Sequence, residues 1–216
     1  AVSAAAQPAT IHDFGGFPRA LYQLRYPAAG HPRLAARAAG VLAGAGLAAG
    51  LDAEHGLDHG AWVPLMHLYP EADVPVFQVS MPATLEAGSA WRLGEALAPL
   101  STEGVLVVGS GSLTHNLREF QGGAVPDGAY ADAFVDWVRD AVVQRDDARL
   151  RDALRSAPHA ARAHPTAEHF LPLLVAAGAS APDAPVRVLE GGMDWGVISM
   201  EGYVFGVEGA ADARTA

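Results

Sequence analysis

The apolar run Gly-Val-Leu-Val-Val-Gly at residues 104–109 restricts the possible folds of this chain more than any other feature. A short, continuous run of β-branched and aliphatic residues is typical of a strand that is covered on both faces. Such strands belong to sheets with helices on both sides, which is the layout of α/β proteins. We therefore predict a buried strand at residues 104–109.

The residues before this run favour the same layout. Residues 74–80 (Val-Pro-Val-Phe-Gln-Val-Ser) are rich in β-formers and predict an earlier strand. Between the two runs, Trp91, Leu93 and Leu97 recur at helical spacing. A strand, a helix and a second strand in this order predict a right-handed parallel crossover. Ligands of such sheets bind beyond the carboxyl ends of the strands, so the residues after Val108 are the first place to look for chemistry.

The whole chain, residues 1–216, is predicted to be one α/β domain with a central, mainly parallel sheet flanked by helices. Half of the 216 residues are hydrophobic, which is enough to bury one large core. The other apolar patterns predict further elements, in chain order helices at 32–45, 130–138, 150–154 and 166–177 and strands at 186–189 and 203–205.

Charge and cysteine content exclude several kinds of partner and site. The formal charge is -10, which repels phosphate backbones and anionic membranes, so we expect neither a nucleic-acid nor a membrane partner. Cysteine is absent, which excludes disulfides and thiolate metal sites. We expect a cytoplasmic protein in which any metal is held by His, Asp or Glu. The longest apolar stretch, residues 41–51, contains three glycines and is too short to span a bilayer.

Nine histidines supply the candidate chemistry, because imidazole is a common metal ligand and transfers protons near neutral pH. His115 follows the predicted strand through a Gly-Ser loop at 109–112, which would place its ring at the ligand-binding edge of the sheet. The same pattern fits a polar loop residue that caps the next turn. Spacing alone leaves both interpretations open.

His59 lies in Gly-Leu-Asp-His-Gly-Ala-Trp at residues 56–62. The neighbouring carboxylate of Asp58 could fix the tautomer of the ring, as the partners of metal-site histidines do. Adjacent residues often point apart, however, and taken alone the motif favours a solvated Asp-His turn before the core residue Trp62.

His169 is predicted to lie in the first turn of a helix that begins near Pro165 and Thr166. Exposed backbone N–H groups there favour anionic ligands, and Glu168 could be a capping carboxylate or a metal ligand. A histidine in a first turn is usually structural, and His164 upstream is an alternative candidate.

Several common catalytic motifs are absent. The loop at 109–112 lacks the third glycine of a dinucleotide-binding loop and the Gly-Lys-Ser/Thr ending of a P-loop. No Gly-x-Ser-x-Gly surrounds Ser110 or Ser112, and no His-Glu-x-x-His occurs in the chain. We therefore predict neither nucleotide binding, nor a serine nucleophile elbow, nor the common zinc-protease helix.

Five segments match one known family in order and approximate spacing. They are, in chain order, residues 10–18 (Thr-Ile-His-Asp-Phe-Gly-Gly-Phe-Pro), 26–28 (Tyr-Pro-Ala), 56–62 with 69–73, 109–118 and 165–173. Together they resemble the DOPA-dioxygenase-like branch of the class III extradiol dioxygenases. The likeness extends to Ser199, Met200 and Phe205, near the end of the chain.

The resemblance implies an enzyme that uses Fe(II), or Zn(II) in some members, to insert both atoms of O₂ into a catechol ring beside its hydroxyl pair. It implies that His169 is a metal ligand and that His115 lies at or beside the metal, where it coordinates the ion or moves a proton. It also implies that His59 contacts the catechol and takes part in acid–base steps. The expected partners are a catechol-type aromatic substrate and O₂.

Two metal-ligand motifs of the family, a His-Gly-Ser-Pro-like and a Ser-x-His-Trp-like motif near the N terminus, have no counterpart in this sequence. We therefore expect the chain to be a reading of a longer protein that lacks its N-terminal part, and to be poorly active or inactive in isolation. Two other hypotheses stay open. One is a zinc-dependent hydrolase in which His115 and His169 hold a metal-bound water; the other is a non-catalytic pseudoenzyme.

Overall fold

The computed structural model describes residues 1–120 and 127–206. Within these ranges the chain forms two compact units, of which the first spans Ala1–Ser80 and the second begins at Met81. Both units combine helices with short strands. This mixed composition is consistent with the predicted α/β class.

The first unit contains helices and a short parallel pair of strands. Its elements are, in chain order, β1 (Val2–Ser3), a 3₁₀ helix (Arg19–Gln23), α1 (Pro32–Gly44), β2 (Leu51–Asp52) and α2 (His59–Leu68). Val2 of β1 pairs with Leu51 of β2. The helix predicted from residue 32 is confirmed, because Pro32 occupies its first turn and the His31 ring accepts a hydrogen bond from the Leu34 N–H at 3.2 Å.

Hydrogen bonds at the core of the first unit fix the start of α2. Trp62 is 2% exposed, and its indole N–H donates to the Ile11 carbonyl at 2.8 Å. The Ile11 N–H in turn donates to the Leu57 carbonyl at 2.7 Å, and the Leu57 N–H donates to the Ala9 carbonyl at 2.8 Å. The chain from Ala9 to Ile11 is therefore held against the residues that lead into α2.

The second unit is mainly helical in the part of it that the structure describes. Its helices are α3 (Ala87–Leu97), α4 (Leu117–Phe120), α5 (Ala129–Val143), α6 (Asp147–Arg151), α7 (Ala153–Ser156), α8 (Ala160–Ala163) and α9 (Leu171–Gly178), with a 3₁₀ helix at Ala98–Glu103. Its strands are β3 (Val186–Leu189), β4 (Met193–Asp194), β5 (Ile198–Ser199) and β6 (Gly202–Phe205). β3 pairs antiparallel with β6, and β4 pairs antiparallel with β5. The strands predicted at 186–189 and 203–205 are thus confirmed.

Close packing of α3 against α9 fixes the position of the chain just before α9. A Cβ atom at Gly94 would lie 2.2 Å from the Val175 carbonyl oxygen, and one at Gly178 would lie 2.6 Å from the Trp91 carbonyl oxygen. A side chain at either glycine would force the two backbones apart, so both positions need a residue without Cβ.

The predicted central parallel sheet is not confirmed among the described residues, which form three separate two-stranded sheets. Residues 104–109 follow a 3₁₀ helix as an irregular segment that has no ladder partner in the described ranges. Leu106 is 65% exposed and Val108 is 47% exposed, so the segment is not covered on both faces. An apolar run reports the preference of its own residues, whereas a ladder also needs a neighbouring strand.

The strand predicted at residues 74–80 is reduced to one isolated bridge between Val79 and Val2. The Ser3 N–H donates to the Gln78 carbonyl at 2.8 Å, while the Gln78 N–H donates to the Ser3 hydroxyl rather than to a backbone carbonyl. Pro75 contributes no N–H to a ladder. A side-chain acceptor and a proline therefore replace the regular pairing that the apolar pattern predicted.

Candidate active site

Two loops of the second unit carry His115 and His169. We call residues 111–116 the His115 loop and residues 162–169 the His169 loop. His115 follows residues 104–109, but this segment is neither the buried strand that the sequence predicted nor part of a sheet in the described ranges. The prediction that His169 lies in the first turn of a helix was wrong, because α9 begins only at Leu171 and His169 lies in the preceding turn.

Backbone hydrogen bonds tie the two loops together. The Ser112 N–H donates to the His169 carbonyl at 2.9 Å, and the His115 N–H donates to the Ala163 carbonyl at 2.8 Å. A Cβ atom at Gly111 would lie 2.2 Å from the His169 carbonyl oxygen. The glycine in this loop therefore permits close approach to the partner loop.

Two buried polar side chains hold His115 from either side along the chain. The Thr114 hydroxyl donates to the Val197 carbonyl at 2.7 Å and accepts from the Ser199 N–H at 2.8 Å. The Asn116 amide donates to the Arg162 carbonyl at 2.8 Å. Buried polar side chains keep their hydrogen bonds, because losing one is costly. The bonds of Thr114 and Asn116 therefore restrict the backbone of His115, which lies between them.

His164 adds a side-chain link between the two loops. Its ring is 6% exposed and lies against the rings of Phe134 and Phe170, with centroids 5.5 and 5.4 Å away. Nε2 lies 2.8 Å from the Leu113 carbonyl oxygen. A carbonyl can only accept, so Nε2 carries the proton and donates. Burial lowers the pKa of His164 to about 4, so the ring is neutral at physiological pH.

We predict that His164→Leu destabilises the protein more than His164→Gln. The leucine leaves the buried Leu113 carbonyl without its donor, which costs about 1–3 kcal/mol of unfolding free energy, whereas glutamine keeps an N–H donor. Urea unfolding of the two variants measures the difference. Equal stability of the two variants would show that the link contributes nothing.

The same histidine makes stability depend on pH. Its pKa is lower in the folded state than the ordinary value of 6.5, so the unfolded chain binds the proton more readily. The contribution of the neutral His164 ring to the free energy of unfolding is complete above about pH 6.5 and is lost as the pH falls toward about 4. In His164→Gln this part of the acid-induced loss of unfolding free energy should be absent. In His67→Gln, which changes an exposed histidine, it should persist.

The imidazole rings of His115 and His169 stack on each other. Their centroids are 3.4 Å apart and their planes differ by 14°. Lone pairs of imidazole nitrogens lie in the ring plane, so two parallel stacked rings direct their lone pairs side by side rather than toward one point. In this arrangement only one of the two rings can bind a given metal ion. The prediction that both residues ligate the metal stays a prediction, and it would require the stack to rearrange.

The stacked pair lies beside a carboxylate. Glu168 Oε1 is 3.4 Å from His169 Nδ1, and the Thr166 hydroxyl donates to the same oxygen at 2.7 Å. Burial, followed by the charge of His169, lowers the pKa of His115 despite the opposing charge of Glu168. Burial acts to raise the pKa of Glu168, but the bond from Thr166 and the charge of His169 lower it overall. At neutral pH the site thus combines a neutral His115 ring with an ionised Glu168.

A small cleft opens at the stacked pair. Its volume is about 210 Å³, below the roughly 300–1,000 Å³ of pockets for drug-sized ligands. It is lined by His115, Asn116, Leu117, Arg118, Pro165, Thr166 and Glu168. The cleft therefore offers imidazole, carboxylate, hydroxyl and guanidinium groups to a small molecule.

His59 lies in the first unit, as the first residue of α2. Its ring Nδ1 is 2.9 Å from Asp13 Oδ1, and its backbone N–H donates to the same oxygen at 3.0 Å. The edge of the Phe14 ring packs at 90° to the imidazole, with centroids 5.9 Å apart. The neighbour suggested by the sequence, Asp58, instead caps α2 by accepting from the Ala61 N–H at 3.1 Å. The carboxylate beside the His59 ring is therefore that of Asp13 and not that of its sequence neighbour.

A complete metal site is not formed by the described residues. In residues 1–120 and 127–206, no group of three or more His, Asp or Glu side chains is placed to hold a metal ion. None of the helices in these ranges combines the length and the hydropathy needed to cross a bilayer. Thr114 and Asp13 were not identified as site residues from the sequence, which offered His164 only as an alternative to His169.

Comparison with known proteins identifies the family. A profile described as "Catalytic LigB subunit of aromatic ring-opening dioxygenase" matches residues 1–206. The "4,5-DOPA dioxygenase extradiol" of Beta vulgaris is 44% identical over 200 residues, covering 91% of this chain and 74% of that protein. The protein of the same name from Escherichia coli K12 is 37% identical over 204 residues, covering 92% of this chain and 74% of its own length.

A solved structure shares the fold over most of the chain. The crystal structure of an uncharacterized protein from Escherichia coli K12 matches with a TM-score of 0.72 and 32% identity, covering 93% of this chain and 78% of that chain. The resemblance inferred from five sequence segments is thus confirmed, and the zinc-hydrolase hypothesis receives no support from these matches. The chain belongs to the LigB family of aromatic ring-opening dioxygenases, within the DOPA-dioxygenase-like branch of the class III extradiol enzymes.

Proposed function

We propose that this extradiol dioxygenase opens a catechol ring at an Fe(II) ion held in part by His169, with His115 and His59 as acid–base residues. The observation that supports this most is the stacking of His115 on His169 across two hydrogen-bonded loops. One imidazole can bind the ion while the ring beside it moves protons. Glu168 places a carboxylate oxygen 3.4 Å from Nδ1 of His169.

The donor chemistry fits a divalent metal in part. An imidazole and an adjacent carboxylate are both common ligands of such ions. Because no three-donor cluster occurs in the described ranges, we propose that the remaining ligands lie outside them. The predictions of a single domain over residues 1–216, of a cytoplasmic location and of the absence of nucleic-acid and membrane partners stay predictions.

Between the two metals that the resemblance allows, we propose Fe(II). Zn(II) has no redox chemistry, whereas ring opening with O₂ oxidises the substrate. When bound, Fe(II) would supply redox chemistry and open coordination positions for both reactants. The residues of this chain would then hold the substrate beside the ion and control its protons.

Proton transfer is the step that the histidines of this chain can perform. A catechol hydroxyl loses its proton before the ring is attacked, and a neutral imidazole within hydrogen-bond reach can accept it. The lowered pKa of His115 keeps its ring neutral and ready to accept that proton at neutral pH. Opening the ring breaks the carbon–carbon bond beside the hydroxyl pair and adds both atoms of O₂, which leaves an aldehyde and a carboxylic acid.

Relatives suggest the substrate class. The proteins from Beta vulgaris and Escherichia coli are named as dioxygenases that act on DOPA. We propose a catechol with a side chain, of which DOPA is the first to test. The cleft beside His115, with Arg118 on its wall, supports a small polar aromatic rather than a large ligand.

The test uses the full product of the reading frame, loaded anaerobically with Fe(II) and then mixed with DOPA and O₂. We expect one O₂ consumed per catechol, together with the visible absorbance of a ring-opened semialdehyde. The Zn(II)-loaded protein is the control and should consume no O₂. A protein that retains stoichiometric iron but takes up no O₂ with any catechol would refute the proposal.

A further inference from the structure

The loop that precedes α2 holds the carboxylate of Asp13 against His59. Asp13 lies two residues after Ile11. The Ile11 N–H donates a hydrogen bond to the Leu57 carbonyl, and the Ile11 carbonyl accepts one from the Trp62 indole. A Cβ atom at Gly56 would lie 2.2 Å from the Ala9 carbonyl oxygen, so this contact also depends on the absence of a side chain. Backbone hydrogen bonds and this close backbone contact therefore hold Asp13 beside His59, the first residue of α2. The contact does not depend on the exposed side chains alone.

One oxygen of Asp13 accepts two hydrogen bonds from the same histidine. Oδ1 accepts from the His59 backbone N–H at 3.0 Å and lies 2.9 Å from the ring Nδ1. The backbone bond fixes the carboxylate whatever the ring does. Burial acts to raise the pKa of Asp13, but the bonds from His59 lower it overall, so the group is ionised at neutral pH.

An ionised carboxylate accepts and cannot donate, so it selects the ring tautomer with the proton on Nδ1. Nε2 then carries the lone pair, and the side chain as a whole is 50% exposed. Phe14 packs edge-on against the ring and restricts its rotation. The pair thus presents a basic nitrogen of fixed direction beside an aromatic ring.

We propose that Asp13 is the positioning residue of His59: it fixes the Nδ1–H tautomer and so makes Nε2 the proton acceptor for the catechol hydroxyl. This inference rests on the proposed acid–base role of His59. In the transfer, the oxygen–hydrogen bond of the catechol breaks, the proton goes to Nε2, and the electron pair stays on the catechol oxygen. The imidazolium that results keeps its Nδ1–H bond to Asp13, which remains ionised.

Asp58 does not compete for this role. Its carboxylate accepts from the Ala61 N–H at the start of α2, and its own N–H donates to the Gln78 side chain at 3.0 Å. Both contacts are those of a helix cap. The long-range partner Asp13 therefore acts on the ring, and the sequence neighbour acts on the helix.

The first test reads the tautomer directly, in the metal-free protein and without substrate. Side-chain ¹⁵N NMR of the histidines, with the His59 signals assigned through His59→Gln, should show Nδ1 protonated and Nε2 unprotonated at a pH where the ring is neutral. In Asp13→Ala the fixed tautomer should be lost, and in Asp52→Ala it should persist. Asp52 is the matched control because one of its carboxylate oxygens also accepts two hydrogen bonds, in this case from the backbone N–H groups of Glu54 and His55.

The second test is kinetic. Asp13→Ala should lower kcat by about tenfold to a hundredfold, the usual effect of removing a residue that orients an active-site histidine, with KM within about twofold. Asp13→Asn keeps an oxygen that can accept from the His59 backbone N–H, so it should fold even if the alanine variant does not, and its kcat should lie between those of wild type and Asp13→Ala. Asp52→Ala should keep wild-type kcat.

The outcomes separate this inference from the proposed function. An Nε2–H tautomer in the wild type, or a tautomer unchanged in both Asp13 variants, overturns the role of Asp13 whatever the activity. A kcat for Asp13→Ala and Asp13→Asn equal to that of Asp52→Ala overturns it as well. If the iron-loaded protein consumes no O₂, the proposed function fails, yet the tautomer still reports whether Asp13 positions the ring.

Discussion

His169→Ala is expected to lose at least about a hundredfold in Fe(II) affinity and, with it, O₂ consumption. Removing a residue that only supports a ligand costs about tenfold to a hundredfold, and removing the ligand itself should cost more. His169 is the ring proposed to face the ion, with Glu168 Oε1 3.4 Å from its Nδ1. Anaerobic Fe(II) titration of the full reading-frame product measures the loss.

The control for this variant is His67→Ala, which removes an exposed histidine from α2. It should bind Fe(II) as the wild type does. Metal affinity that is equal in His169→Ala and His67→Ala would remove His169 from the set of ligands, and the site would have to be sought elsewhere in the chain.

His115→Gln is expected to behave differently, with kcat reduced by about a hundredfold to ten-thousandfold and Fe(II) affinity changed only a few-fold. General acid–base residues contribute rate factors of that size. The stacked geometry lets one ring bind the ion. Removing the other ring should therefore lower kcat and leave Fe(II) binding nearly unchanged. Steady-state O₂ uptake and metal content of the same preparation separate the two effects.

The opposite result for His115 has a clear meaning. If His115→Gln loses iron as severely as His169→Ala does, then both rings are ligands and the stack must rearrange when the metal binds. If it loses neither iron nor turnover, His115 is a structural residue of the cleft.

Helices were predictable from local pattern, whereas the sheet was not. α1 has both a proline in its first turn and a regular apolar face, and α5 contains the predicted helical segment around Phe134. Residues 104–109 have an equally clear strand pattern, but no partner strand lies beside them in the described ranges. A helix bonds within itself, while a strand depends on residues that its own sequence does not contain.

The site was predictable from resemblance but not from spacing. Nothing local indicates that His115 and His169 stack, because the bonds that join their loops use a backbone group on at least one side, such as that from the Ser112 N–H to the His169 carbonyl. Spacing pointed to Asp58 as the partner of His59, whereas the fold supplies Asp13. Side chains that meet through tertiary structure leave no periodic signal.

The most direct test of the whole account is the position of the metal in crystals of the anaerobically Fe(II)-loaded protein, located by anomalous diffraction at the iron edge. We predict one iron peak about 2.1 Å from a ring nitrogen of His169, the usual distance between imidazole and a divalent metal, with the His115 ring beside it but not coordinated. An iron peak away from His169, or none in fully loaded crystals, would contradict the account.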